Sequence, residues 1–354
     1  MINYVDIIVG LAWGDEGKGK ISSALAKGYD MVCRWNGGPN AGHTVYINNK
    51  KYKTHLIPSG VFHGKPSIIG PNCVINVDKF HQEIQYLKEN GFDTSLVKVH
   101  PFAHVITENH IKYDLEYLKP KLGTTGQGIA PCYADKANRV GIQVWQKLDK
   151  EYLWDMKLDG KILCEGAQSI WLDINWGDYP YVTSSETFPH NACSLGFSPK
   201  KIRDIIGVAK IYDTKSGVDP LFPESLWDDP VFDKIIEIGE ERGTTTGRKR
   251  IVNWLNTKKL INAINLSGVN KIIINKCDVL EKVGVFKFQS YDGFIKVYHS
   301  IEAMQDGLAV EIFTHCPELD LKDIVFSGDQ TKICLLYTSP SPRDRTRSRM
   351  PSSA

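Results

Sequence analysis

The 354-residue chain predicts an α/β fold in which helices flank a central, largely parallel sheet. Two patterns carry that expectation. The first is the opening. An apolar run over Val5–Val9 meets the glycine-rich turn Gly14-Asp-Glu-Gly-Lys-Gly-Lys20, and a helical stretch follows to about Lys27. Strand, glycine turn and helix in that order begin a P-loop-like phosphate-binding unit, because glycines let backbone N–H groups approach an anion at a helix N-terminus. The second is alternation: short β-branched runs recur with helical or polar segments between them.

Met31–Arg34, Ser67–Ile69, Lys98–His100, Lys161–Cys164, Asp204–Ala209 and Lys271–Ile274 are such runs, each short enough for a buried strand. Asp78–Asn90 spaces Phe80, Ile84 and Leu87 along one helical face, and Val231–Arg242 and Thr257–Ser267 also read as helices. No internal repeat and no Pro/Gly linker interrupts residues 1–333, so a single domain is expected there. Residues 334–354, CLLYTSPSPRDRTRSRMPSSA, have no apolar periodicity and resemble translated sequencing adapter; they are read as a non-native, disordered tail, with the natural C-terminus lost after about Ile333.

Composition narrows the class. With 42% hydrophobic and 24% charged residues the chain is neither disordered nor fibrous. No apolar run approaches the roughly 20 residues of a membrane span, and no basic segment precedes the apolar opening as in a secretory signal. The formal charge of +2 falls to −1 without the tail, so it gives no reason to expect nucleic acid. Eight cysteines show no CxxC spacing, which excludes a zinc ribbon and fits reduced thiols in a cytoplasmic protein.

Six segments could carry chemistry. The turn at 14–20 departs from the standard GxxxxGK[ST] loop: Ala12 stands where the first glycine would be, and Gly19 replaces Ser/Thr. Lys18 offers a charge to a phosphate, whereas Asp15 and Glu16 would repel one unless a cation intervenes, so Asp15 is a candidate for holding Mg²⁺ or for a base. Gly37-Gly-Pro-Asn-Ala-Gly-His-Thr44 places His43 on a loop as an acid or a phosphate partner. Gly123-Thr-Thr-Gly-Gln-Gly128 offers hydroxyls and amides to an anion, and alone it reads equally as a flexible loop. Glu165-Gly-Ala-Gln168 follows a strand, where ligands bind in open α/β sheets, and Gln168 could read a base edge or be a structural amide. Gly243-Thr-Thr-Thr-Gly-Arg-Lys-Arg250 groups hydroxyls and cations suited to carboxylates and phosphates. Asn275-Lys-Cys-Asp278, directly after a strand, resembles the guanine-reading element of GTP-binding proteins. There the carboxylate of Asp278 would accept from the guanine N1–H and 2-amino group, which adenine lacks.

Taken together, WGDEGKGK, NAGHT, HLIPSG (His55–Gly60), GTTGQG, DKANR, EGAQ, YPYVTSS, TTTGRKR and NKCD run from Trp13 to Asp278 in an order that resembles the adenylosuccinate synthetase family. The short stretch between Gly128 and Glu165 is similar to the compact members. The resemblance implies a GTP-dependent ligase that joins L-aspartate to C6 of IMP through a 6-phosphoryl intermediate, releasing GDP and phosphate. It implies catalytic roles for Asp15, His43 and Lys18. Mg²⁺ would be held by Asp15 and Gly42, and GTP by Gly14, Glu16, Gly17, Gly19, Lys20, Gly42, Thr44, Arg250, Lys276, Asp278, Ser327 and Gly328. Asn40, Thr125, Gln168, Thr183 and Arg248 would hold IMP, and Thr245, Thr246 and Arg248 would receive the aspartate carboxylates. Arg139 would reach the nucleotide of a neighbouring subunit, which implies a homodimer.

The chain departs from the family pattern at three places. A loop of type RVGAGPFPTE reads Lys215-Ser-Gly-Val-Asp-Pro-Leu-Phe-Pro-Glu224, the usual basic residue after GTTG is Gln127, and the C-terminal guanine loop is shortened to Phe326-Ser-Gly-Asp-Gln330. The alternative is the related phage 2-aminoadenylosuccinate synthetase, which acts on dGMP. Gln127 and the stretch around Asn40 resemble that branch, whereas the retained Asp15 resembles the IMP-using one. A regulatory GTP switch would leave His43, Gln168 and the 243–250 cluster without a role.

Overall fold

The computed structural model describes residues 1–48, 50–217, 219–222, 230–243 and 247–328. Thr245, Thr246 and the tail at 334–354 therefore lie outside the described residues. Eight strands form one sheet in the order Ile324–Phe326, Lys271–Asn275, Ile202–Lys210, Ile2–Gly10, Gly160–Glu165, Met31–Arg34, Ser67–Ile69, Val97–Val99. Every pairing in it is parallel. From the first strand the chain skips one place to Met31–Arg34, and Gly160–Glu165 later fills the gap. That reversal of direction about the first strand opens a crevice at the carboxyl ends of the central strands.

A parallel sheet needs cover on both faces, and the first strand shows it. Ile7 and Val9 point into one apolar cluster and Ile8 into another; each is at most 3% exposed. Helix Lys18–Ala26 covers the Ile8 face with Ile21 and Leu25, and helix Thr257–Ser267 brings Leu260, Ile261 and Ile264 to the opposite face. Asn256 caps the latter by accepting from the Lys259 amide at 2.9 Å, and Asn76 caps Val77–Glu89 by the same device.

The strand expectations hold to within a residue or a few at each end, with Val97–Val99 in place of Lys98–His100. The edge strand Ile324–Phe326 lies outside the expected runs. The helix expected over Val231–Arg242 stops at Ile238. There Gly239 packs so closely that a Cβ would lie 2.7 Å from both the Ile235 carbonyl and the Tyr212 hydroxyl, and Glu240 turns to a φ of 50°. Glu241 is thereby carried into the interior.

Candidate active site

Strand ends and the loops leaving them line one cavity of about 1300 Å³. The turn before helix Lys18–Ala26 leaves the first strand, the segment leading into the strand His43–Ile47 follows Met31–Arg34, Gln168 follows Gly160–Glu165, and Lys276 and Asp278 follow Lys271–Asn275.

The glycine turn settles its own acidity. Gly17 has φ +94°, a value that strains any other residue, and precedes the helix at Lys18. Glu16 is 1% exposed. Its Oε1 accepts from the Ala12 and Gly14 amides at 3.2 and 2.9 Å, and its Oε2 accepts from Lys18 Nζ and Ser169 Oγ, both at 2.7 Å. Glu16 therefore shapes the turn, neutralised by Lys18. Asp15, at φ 61°, turns the other way: its Oδ2 accepts from Arg250 Nε at 2.8 Å and Ser216 Oγ at 3.2 Å.

His43 is held from behind. Its Nδ1 lies 3.1 Å from Oε1 of Glu165, which has no exposed surface. Glu165 Oε2 also accepts from Ser22 Oγ and, at 2.5 Å, from Ser59 Oγ. Burial alone would raise this carboxyl; the facing His43 and the bonds from His43, Ser22 and Ser59 outweigh it and hold it at about 2. Ser59 belongs to the HLIPSG segment, whose peptide groups are stapled by two buried ions. Glu83 accepts from the amides of His55, Leu56 and Ile57, while Arg34 donates to the His55, Leu56, Asn36 and Gly38 carbonyls. His43, expected on a loop, instead opens the strand His43–Ile47, paired antiparallel with Lys50–Thr54, and Glu165 ties it to the start of the short helical turn Ser59–His63.

Asn40, Gly42, Thr44, Thr125, Gln168 and Thr183 all line the cavity. Asn40 Oδ1 accepts from the Gly38 amide at 3.1 Å, and the Thr183 amide donates to the Leu172 carbonyl at 2.8 Å. Buried Asp114 shapes the threonine loop by accepting from Thr124 Oγ1 at 2.5 Å and the Gly128 amide at 2.8 Å. Gln127, where the family carries a cation, accepts from Lys79 Nζ, so a cation still stands at this loop. Arg248 lies off the lining, with Nη1 donating to the Gly123 carbonyl at 3.2 Å. In the departing segment, of which residues 218, 223 and 224 lie outside the described ones, Lys215 ends the strand Tyr212–Lys215 and is buried 2.6 Å from Asp219.

At the far end, Asn275 Nδ2 donates to the Glu16 carbonyl at 2.8 Å, joining the Asn275–Asp278 turn to the glycine turn. Lys276 adopts φ 68° and donates to the Gly239 carbonyl at 2.7 Å. Gly328 packs on Asp278, where a Cβ would come within 2.5 Å of the Asp278 Cβ, and Lys20 Nζ lies 3.5 Å from the Gly328 carbonyl. Gly14, Gly17, Gly19 and Gly328 line the cavity. Ser327 does not: it is 1% exposed, and its amide continues the sheet to the Ile274 carbonyl. Arg139 ends helix Ile129–Asn138 as an exposed residue off the lining.

Sequence reading passed over Glu165, Ser59, Ser169, Ser216 and Glu241 as individual residues. Glu165 and Ser59 stand inside segments already singled out, which was the available signal. Glu241 had none, because nothing local distinguishes a buried carboxylate in a charged stretch.

A cavity that brings a glycine turn before a helix, the Asn275–Asp278 turn and the partnered side chains Asp15 and His43 to one edge of a parallel sheet fits a nucleotide-driven ligase of the parallel α/β class. Comparison with known proteins is specific. The family model described as adenylosuccinate synthetase matches residues 7–160 and 147–293. The adenylosuccinate synthetase of Lysinibacillus sphaericus is 37% identical over 348 aligned residues, covering 81% of each chain. That of Parabacteroides distasonis is 38% identical over 339, covering 80% of each. The fully ligated adenylosuccinate synthetase from Plasmodium falciparum superposes with a TM-score of 0.78 at 27% identity, over 93% of this chain and 98% of that one. The cyanophage S-2L succinoaminodeoxyadenylate synthetase bound to dGMP and dATP shares the fold, with a TM-score of 0.67 at 18% identity over 88% of this chain. The chain belongs to the adenylosuccinate synthetase family. Its activity is the GTP-dependent ligation of L-aspartate to IMP. Among the described residues, no helix is long and apolar enough to cross a membrane.

Proposed function

We propose that Asp15 and His43 are the base and the acid of this ligation, acting on opposite ends of one phosphoryl transfer. O6 of IMP is a poor leaving group. Asp15 takes the N1 proton, O6 attacks the γ-phosphate of GTP, and the aspartate amine then displaces phosphate from C6. His43 gives a proton to the departing β–γ oxygen from Nε2. The neutral ring left behind keeps its Nδ1 hydrogen, which faces Glu165, so donation leaves the imidazole in the tautomer that the carboxylate holds. The observation that carries this reading is the placement of Asp15 and His43 on one cavity, each with a fixed partner: Arg250 at 2.8 Å and Glu165 at 3.1 Å.

Lys18 exchanges its contact with Glu16 for phosphate oxygens when GTP binds. Asp278 and Lys276 read guanine, with Gly328 and the backbone of Ser327 closing the pocket. Asn40, Thr125, Gln168 and Thr183 hold IMP; Arg248 leaves the Gly123 carbonyl and turns into the cavity to join them and, with Thr245 and Thr246, to receive aspartate. Arg139, exposed at its helix end, serves the site of a second copy in a homodimer of a cytoplasmic enzyme.

The donor set fits Mg²⁺, which favours one or two carboxylates together with substrate phosphates over an all-protein cage. Among the described residues both hydrogen bonds to Asp15 fall on Oδ2, which leaves Oδ1 to join the Gly42 carbonyl in holding the ion. Bound there, Mg²⁺ would supply charge neutralisation to the transferred phosphate.

A substrate panel tests the reading. IMP, dIMP, GMP and dGMP are each offered with aspartate, Mg²⁺ and either GTP or ATP, and succinyl-nucleotide is followed by absorbance and mass. Product from IMP with GTP is expected; product mainly from dGMP would move the chain to the diaminopurine branch. Asp15→Asn and His43→Ala are each expected to abolish turnover in a folded chain, and near-normal activity in either would overturn its assigned role.

A further inference from the structure

Behind the Asp15–Arg250 pair lies a carboxylate with no part in the chemistry above. Glu241 has no exposed surface, yet groups from four stretches of chain converge on it. Lys210, at the end of the strand Ile202–Lys210, places Nζ 2.9 Å from Oε2. The Tyr212 hydroxyl donates to Oε1 at 2.7 Å. Arg250 donates to Oε2 through Nη1, and Lys276 of the base-reading turn brings Nζ to 4.0 Å from Oε1. Lys210 and Arg250 are themselves buried, at 3% and 8% exposure.

We infer that Glu241 is a positioning residue, holding Arg250 so that its Nε meets Asp15 and tying that pair to the base-reading turn through Lys276. The guanidinium is planar and rigid, so fixing Nη1 on Glu241 fixes the direction of Nε. A path of charged contacts then runs from Lys276 through Glu241 and Arg250 to Asp15. The sequence separations are long: Asp15 and Arg250 are 235 residues apart. A carboxylate needed only to compensate Lys210 would not require Arg250 to reach past it to Asp15. The inference rests on the reading of Asp15 as the base.

The test is steady-state kinetics of the full chain with IMP, aspartate and GTP, alongside thermal melting by circular dichroism. Glu241→Gln keeps the shape and removes the charge. The expected result is a fall in kcat of about 10-fold or more with KM for IMP within about threefold, the pattern of a misaligned group. Glu241→Asp, which restores the charge on a shorter stem, is expected to recover part of kcat. In an Arg250→Lys background Glu241→Gln is expected to cost under about threefold, because the path is already broken. An unchanged kcat in Glu241→Gln, or the same fold-loss in both backgrounds, would overturn the inference. If the Gln chain does not fold, Glu241→Asp decides alone: reduced kcat with an unchanged melt supports the role, and normal kcat overturns it. Should Asp15→Asn keep its turnover, the underlying reading fails. Should Asp15→Asn be inactive while the Glu241 variants are silent, only this inference fails.

Discussion

Nδ1 of His43 lies 3.1 Å from Oε1 of Glu165, a carboxylate with no exposed surface. The contact fixes which ring nitrogen faces the cavity, because the other is committed to a charge that burial forbids to leave unpaired. Glu165→Gln keeps the side-chain shape and removes that charge. The expected result is a fall in kcat of about 10- to 100-fold with KM for GTP within about threefold, since the ring would lose its orientation and not its place. Steady-state kinetics at saturating aspartate checks it, and an unchanged kcat would remove Glu165 from the catalytic arrangement.

The first turn of helix Lys18–Ala26 leaves no room beside His43. A Cβ built on Gly19 would stand 2.7 Å from the His43 Cβ and 2.9 Å from its Cγ. Both atoms lie at the root of the side chain, so the ring cannot swing aside without leaving Glu165. Gly19→Ala is therefore expected to lower kcat by about 10-fold or more while the chain stays folded, an effect of under 1 Å of displacement. Wild-type kinetics in this variant would mean that the strand opened by His43 shifts as a body and keeps the pair.

At the far end of the cavity, Asp278 presents acceptors only, matched to the two N–H donors of guanine. Asp278→Asn replaces one acceptor with a donor. That pattern suits xanthine, which carries a carbonyl where guanine has its 2-amino group. KM for GTP is expected to rise by about 10-fold or more while XTP becomes a substrate, since a mispaired buried polar group costs about 1–3 kcal/mol. Competition assays with GTP, ITP and XTP read the outcome, and unchanged GTP preference would place guanine elsewhere.

Three buried carboxyls give stability opposite dependences on pH. Glu165 and Glu241 titrate at about 2 in the folded chain, well below the usual 4.5. For Glu241, burial pushes up and the facing Lys210, Arg250 and Lys276 push down harder. On acidification the unfolded chain takes up protons first, so the stability these groups provide is full above about 4.5 and is lost as pH falls toward about 2. Asp213 runs the other way. Burial, opposed mainly by the Asn256 amide, raises it from 3.8 to about 7. Above 3.8 the unfolded chain sheds this proton while the folded chain retains it, so its cost grows up to about pH 7. Asp213→Asn is expected to gain melting temperature over wild type at pH 8 and little at pH 4. Melting curves at both values check it, and a gain that does not change with pH would contradict the assignment.

Much of this was legible in the residues. The β-branched runs marked seven of the eight sheet strands, because a strand buried on both faces must be apolar throughout. The glycine turn and Asn275–Asp278 were legible as segments of the cavity because each follows directly on a strand. Other features were not. Arg139 and Arg248 are both basic and both exposed, yet one ends the helix Ile129–Asn138 and the other reaches across to donate to the Gly123 carbonyl. Their chain neighbours do not tell where either side chain reaches, because that depends on segments distant in sequence.

What the sequence determined by itself is which segments become strands and which turns can grip an anion. Those properties depend on apolar periodicity and on glycine, and both are written over a few consecutive residues. What only the tertiary structure decided is the pairing of charges: Glu16 inward to Lys18 and Ser169, Asp15 outward to Arg250, Glu165 behind His43, and Glu241 behind Arg250. Those partners meet because Gly160–Glu165 inserts between the first two strands and the parallel crossovers bring every carboxyl end to one edge. A carboxylate's role is set by what burial leaves within reach, and that distance is a property of the sheet order.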